Sequence, residues 1–134
     1  MRATCQYRKR LSRCHRAAIA ACVFCGRTFC PEHGLHYDDE SDVCLREVCQ
    51  AKRQDLVAHL AWRQAAIERS NRGFCGIPEC DGERWGQCSK CHALFCERHL
   101  HDSEEKVRQG FAVFTRPASM CDHCLARNKL WSRR

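Results

Sequence analysis

The residues of this chain best suited to chemistry are its fourteen cysteines and a subset of its eight histidines. Two stretches set the pattern: "CVFCGRTFCPEH", Cys22 to His33, and "CSKCHALFCERH", Cys88 to His99. Both read C-x2-C-x4-C-x2-H, with Phe29 and Phe95 directly before the third cysteine, and they lie 66 positions apart. Thiolates and imidazoles at such short spacing are ligands for a borderline-soft metal ion, and zinc is the natural choice. Iron–sulfur clusters fit less well, because a histidine recurs in each set. A disulfide framework needs an oxidising compartment. Met1 to Arg16 carries Arg2, Arg8, Lys9, Arg10, Arg13 and Arg16 with no apolar core, which does not read as an export signal. The expectation is a cytoplasmic, metal-binding chain. The run Ala17 to Phe24 is far too short to cross a bilayer, so no membrane partner is expected.

Counting ligands sharpens the metal reading. All fourteen cysteines with the two repeated histidines make sixteen ligands, enough for four complete tetrahedral zinc sites. The repeat extends on both sides of the quoted stretches. The first copy has the pairs Cys5/Cys14, Cys22/Cys25, Cys30/His33 and Cys44/Cys49; the second has Cys75/Cys80, Cys88/Cys91, Cys96/His99 and Cys121/Cys124. Two tandem modules follow, with two zinc ions each. His15, His36, His92, His101 and His123 are not needed as ligands, and surface or supporting positions are expected for them. Metal also changes the charge. Fourteen thiolates and four Zn²⁺ together add six negative charges, which lowers the formal +7 to about +1.

The elements that must position these ligands are small. Each half has only about 50 to 65 residues and few large apolar side chains, too little for an ordinary core. Zinc itself must be the core, contributing on the order of 10 kcal/mol per structural site. The expected fold is a small metal-dominated α+β protein with short β-hairpins and a short helix in each module. The division is a first zinc module over 1–50, a connecting helix over 51–72, and a second module over 73–134 with a basic C-terminal helix or tail. The stretch from Arg46 to Arg72 has no Gly or Pro and is rich in Ala, Arg, Gln and Leu, which favours helix, with Gly73 as terminator. Leu56, Leu60 and Ile67, with Val57 and Ala61, form the apolar stripe expected to pack on the modules. Ser103-Glu104-Glu105 predicts a short helix ending near Gly110, and Phe111 to Thr115 a strand ended by Pro117. "HALF" before Cys96 predicts the second strand of a zinc-bearing hairpin. Phe29 and Phe95 read as apolar plugs beneath the metals. The acidic stretch Asp38 to Asp42 reads as a solvated loop.

Spacing alone leaves open whether the pairs are used in sequence or interleaved. The C-x2-C-x4-C order with an aromatic before the third cysteine resembles the cross-brace zinc domains: RING, B-box and MYND-type fingers, of treble-clef type. That resemblance implies interleaving. Cys5, Cys14, Cys30 and His33 would then share one ion, and Cys22, Cys25, Cys44 and Cys49 another. In the second module the sets would be Cys75, Cys80, Cys96, His99 and Cys88, Cys91, Cys121, Cys124. The departures are specific. RING domains usually place histidine in the second pair, and the first pairs here have gaps of eight and four residues.

Function follows from the ligand arithmetic. Catalytic zinc keeps an open position, and thiol catalysis needs a free cysteine; a full set of sixteen ligands supplies neither. No autonomous active site is expected. The leading expectation is a protein-interaction module. The RING resemblance implies a sharper form, a ubiquitin-ligase-type factor that binds a ubiquitin-conjugating enzyme and orients its thioester toward a ubiquitin-like transfer, a transferase acting only by positioning. Ile77 and Pro78 in the first zinc loop would meet the enzyme. Arg127, with Lys129 in reserve, would steady the donor; Lys52 or Arg53 hold the corresponding place in the first module. The alternatives are a non-catalytic zinc-finger adaptor for another protein, or a nucleic-acid binder using its basic termini. For the last, Trp131 among Arg127, Lys129, Arg133 and Arg134 could stack a base, or else pack onto the second module.

Overall fold

The computed structural model describes residues 3–133. The chain divides into two compact units, one holding residues up to Val57 together with those from Leu130 onward, the other Ala58–Lys129. The second unit is thus an insertion within the first.

Unit one is a series of two-stranded antiparallel pairs. β1 (Arg8–Lys9) pairs with β2 (Ser12–Arg13), β3 (Ala20–Ala21) with β4 (Thr28–Phe29), and β5 (Gly34–His36) with β6 (Asp42–Cys44). Cys44 leads directly into α1 (Glu47–Asn71), whose third residue is Cys49. The core is Phe29, Val43 and Val48 set among cysteines, with Phe29 about 1% exposed. So few apolar groups cannot hold this many short strands together unaided.

Unit two repeats the plan. β7 (Gly86–Gln87) pairs with β8 (Leu94–Phe95), and Phe95 is fully buried, as expected for the plug. β9 (Leu100–Gln109) then pairs along its whole length with β10 (Ala112–Cys121), and α2 (Asp122–Trp131) follows, again with a cysteine, Cys124, as third residue. The helix expected from Ser103 to Gly110 is therefore corrected to strand. Gly110 and Phe111 close a two-residue hairpin in which Gly110 has φ of 63°, suited to the first position of a type II′ turn. Pairing along the neighbouring strand β10 overrides the local capping signal at Ser103. Nor does Pro117 end the strand: it lies opposite Glu104 inside β10, on an edge, where a missing N–H costs no ladder bond.

The helix α1 carries a second correction. Val57, Leu60 and Ala61 are exposed. Of the expected stripe Ile67 does pack on the core of unit two, and Trp62, Ala66 and Ser70 complete the packed face there. Ala66 and Ser70 are small, which lets the helix approach the β8 backbone. The Ser70 hydroxyl accepts from Leu94 N–H (2.9 Å) and lies 2.9 Å from the Ala66 carbonyl, in the i−4 position. Trp62 stacks on Phe95 with centroids 6.1 Å apart. The helix stops where expected, with Gly73 at φ 97°.

Trp131 gives the third correction. It packs in unit one: edge-on to Phe24 (5.7 Å), its Nε1 donating to Asp55 Oδ2 at 2.6 Å. Lys52 is buried, donates to the Arg133 carbonyl (2.6 Å) and sits 5.7 Å from the Trp131 ring. Arg53 pairs with Asp39 and stacks on Tyr37. Of the acidic stretch Asp38, Asp39 and Glu40 are exposed as expected, while Ser41 and Asp42 are half-buried and Asp42 opens β6. Among the described residues no helix is long and apolar enough to cross a membrane.

Candidate metal centres

The backbone brings four sets of side chains together. They are Cys5, Cys14, Cys30 and His33; Cys22, Cys25, Cys44 and Cys49; Cys75, Cys80, Cys96 and His99; and Cys88, Cys91, Cys121 and Cys124. Within each set the potential ligand atoms all lie within 4.8 Å of one another. Each set takes the first and third pairs of its module, or the second and fourth. All fourteen cysteines are used. These are four clusters compatible with zinc, each able to hold one metal ion, and together they form a structural metal-binding module.

The turns that present the ligands are local. The Cys22 N–H bonds the Arg27 carbonyl and the Gly26 N–H the Cys22 carbonyl, both at 2.8 Å. Cys88 repeats this with Ala93 and His92 at 3.0 Å. The residue after the second cysteine must turn left-handed, and Gly26 (φ 75°) and His92 (φ 65°) occupy that place. His92 is thus a turn residue and not a ligand. Cys30/His33 and Cys96/His99 close with the His N–H on the Cys carbonyl at 3.0 and 3.1 Å. The fourth pair places one cysteine at a strand end and the other in the first turn of a helix.

Distances identify what the clusters fit. The sulfurs of Cys14 and Cys30 are 3.9 Å apart, Cys25 and Cys44 3.8 Å, Cys80 and Cys96 3.8 Å, Cys91 and Cys121 4.0 Å. A disulfide needs about 2.05 Å. A tetrahedral ion with Zn–S of about 2.3 Å requires S···S edges of about 3.8 Å, and S···N edges of about 3.5 Å when one ligand is imidazole. His33 Nδ1 lies 3.5 Å from Cys5 and 3.4 Å from Cys30; His99 Nδ1 lies 3.6 Å from Cys75 and 3.1 Å from Cys96. The spacing is that of a metal tetrahedron.

The electrostatics fit the same ion. Burial raises the Cys22 thiol, but backbone N–H groups of Cys44, Cys25 and Phe24 outweigh it and bring the group down to about 7. Cys96 is brought down to about 6 in the same way, against its burial, by the N–H groups of His99 and Arg98. Their neighbours go the other way: burial and adjacent thiolates push Cys44 up to about 11. Four crowded thiols cannot all ionise without a counter-charge, and a divalent cation supplies one. Further N–H groups aim at sulfur, from Lys90 and Cys121 to Cys88 Sγ (3.4 and 3.5 Å) and from Cys124 to Cys121 Sγ (3.4 Å).

Three supporting groups escape a sequence reading. Tyr7 stacks on His33 (4.4 Å), fixing its ring. Arg69 donates to the carbonyls of Cys75 (3.2 Å) and Cys80 (2.6 Å), and Arg63 to that of Cys91 (2.9 Å), so α1 clamps the ligand loops of unit two. In sequence these arginines look like any solvated helical charge. The remaining histidines support: His36 bonds Asp42 at 2.8 Å, His101 pairs with Asp122, and His123 stacks on Trp62 at 3.7 Å. His15 is exposed.

The residues expected to meet a partner are placed as follows. Ile77 is half-buried and packs against the core of unit two, while Pro78 is exposed in the loop between Cys75 and Cys80. Arg127 and Lys129 lie on α2 beyond Cys124, and neither lacks a partner. Comparison with protein-family models, curated proteins and solved structures finds no match for this chain.

Proposed function

We propose that the four clusters are closed structural zinc sites with interleaved ligation, and that the frame they build is a protein-interaction module without chemistry of its own. One observation carries this: sixteen ligand atoms gather into four sets at tetrahedral spacing, using every cysteine. A closed tetrahedron rich in thiolates has no position for water or substrate and is a weak Lewis acid. Native mass spectrometry tests it directly. Four zinc ions per chain are expected, and a stoichiometry of two or fewer overturns the assignment.

The ubiquitin-ligase-like form of this function is the sharper version. Its support is the resemblance to cross-brace domains, the exposed Pro78 beside Ile77, and Arg127 after the last ligand pair. Against it stands the packing of Ile77 on the core. The measurement is discharge of ubiquitin from a charged conjugating enzyme. Acceleration by the zinc-loaded chain, lost in Ile77→Ala while zinc content is retained, supports it; no acceleration leaves the adaptor. The nucleic-acid alternative loses its aromatic, since Trp131 is held between Phe24 and Asp55. Its signature is affinity that falls steeply with salt.

A further inference from the structure

Each strand of the β9–β10 ribbon has ten residues where the corresponding hairpin of unit one has three, and the zinc frame gives the added length no role. An isolated two-stranded ribbon is marginal in water, and its edges are open templates for pairing. The two edges differ. On β10, backbone groups of odd-numbered residues turn away from β9. Cys121 N–H aims at Cys88 Sγ (3.5 Å), and Ser89 N–H donates to the Ser119 carbonyl at 2.7 Å. The next residue outward is Pro117, which has no N–H to offer. That edge is occupied at its base and broken above it.

The β9 edge has no strand beside it among the described residues. The register sets Asp102, Glu104, Lys106 and Arg108 opposite Ser119, Pro117, Thr115 and Val113, so these four turn their backbone groups outward. The same four side chains share one face and read acid, acid, base, base. This order is complementary to its own reverse.

We propose that β9 pairs antiparallel with β9 of a second copy of this chain, about a two-fold axis at Glu105, to form a four-stranded sheet. In this register Asp102 faces Arg108 of the second copy and Glu104 faces Lys106, each twice by symmetry. Outward backbone groups meet outward groups, as a ladder requires. Slipping to the next permitted register in either direction sets Lys106 against itself or Glu104 against itself, so charge selects one register. Glu105 meets its own copy on the other face, where Arg116 of β10 already pairs with it. Ser103 then opposes Val107.

Sedimentation equilibrium of the zinc-loaded chain tests this with two charge variants. One is all-acidic on β9 (Lys106→Glu with Arg108→Glu), the other all-basic (Asp102→Lys with Glu104→Lys). The wild type is expected to be a dimer, each variant alone a monomer, and their equimolar mixture a dimer. The single change Glu104→Lys is expected to weaken the dimer about tenfold or more, and adding Lys106→Glu to recover it. Zinc content is measured on every sample, and the single change stands in if a double variant loses metal. A wild type that stays monomeric overturns the proposal. So does a dimer that persists in both variants alone, or a mixture that fails to associate while both components hold their zinc.

Discussion

The two units build the same device from different lengths of chain. In both, the residue after the ligand histidine pairs across a hairpin with the first cysteine of the fourth pair: Gly34 with Cys44, Leu100 with Cys121. In both, a helix then starts on an acidic residue, Glu47 or Asp122, and its third residue is the last ligand. Between these fixed points unit one spends three residues per strand and unit two spends ten. The ligand clusters fix the ends of the hairpin and leave its length free.

The apolar plug shows the same lesson at the scale of single atoms. In unit one a side chain at Gly34 would lie 2.0 Å from the Phe29 ring. In unit two that position is Leu100, buried, and the space it takes is vacated across the plug at Gly86, where a Cβ would come within 2.7 Å of Leu100. Ala20 holds the place of Gly86 in unit one. Bulk has moved from one strand to another while the volume around the phenylalanine is kept, as close packing demands.

Metal removal would break the comparison most completely. Chelation is expected to unfold both units, with loss of near-UV and far-UV circular dichroism together, because ions held in the four clusters would take the place of the missing apolar core. Next, Cys88→Ser should abolish the fold of Ala58–Lys129; an amide-resolved NMR spectrum tells whether the cross-peaks of unit one survive, which measures how far the two frames are separable. At the plug both units should lose stability, for opposite reasons. Leu100→Ala leaves a cavity and should cost about 2–5 kcal/mol. Gly34→Ala overpacks Phe29 and should cost about 1–3 kcal/mol, both read by denaturant melts of the zinc-loaded chain. At the left-handed turns the asymmetry runs the other way: His92→Gly should stabilise unit two by about 1 kcal/mol, since unit one already has Gly26 there.

The smallest effect is electrostatic and confined to the short hairpin of unit one. A hydrogen bond to Asp42 raises the pKa of His36 above the usual histidine range, aided by Glu40 and Asp38. The charged ring gains the partner, so the contribution is fully present below the unfolded value and is lost as pH rises through the folded one. Asp39 is opposite in sign. Hydrogen bonds from Ser41 and Arg53 hold it down to about 2, so its contribution is present above the ordinary aspartate range and fades only as pH falls to that value. Both groups are exposed, and side-chain NMR titration, with Asp42→Asn returning His36 to an ordinary value, is the measurement sensitive enough to see it.

The sequence made some of this plain and concealed the rest for definable reasons. The offset of 66 between the repeats exposes the sixteen side chains that the fold gathers, and Phe29 and Phe95 are recognisable as buried plugs. Interleaving was not in the spacing and came only by resemblance. The long ribbon was hidden because both its faces meet solvent. Glu104-Glu105-Lys106 has no apolar alternation to mark a strand, and Ser103 imitates a helix cap. The packed face of α1 is only partly legible: Ile67 belongs to the apolar stripe, but the closest approach is made by the small residues Ala66 and Ser70, which carry no such signal.

The insertion of one unit within the other bears on how the chain is made. Synthesis delivers the last ligand of unit one, Cys49, at the start of α1, so both of its clusters are chemically complete before any of unit two exists. Yet Leu130, which packs on the core of unit one, and Trp131, which meets Phe24 and Asp55, emerge only after all of Ala58–Lys129. A nascent chain therefore passes through a stage in which unit one can hold metal but is still uncovered. Its final covering waits until residues 58–129 have been synthesised.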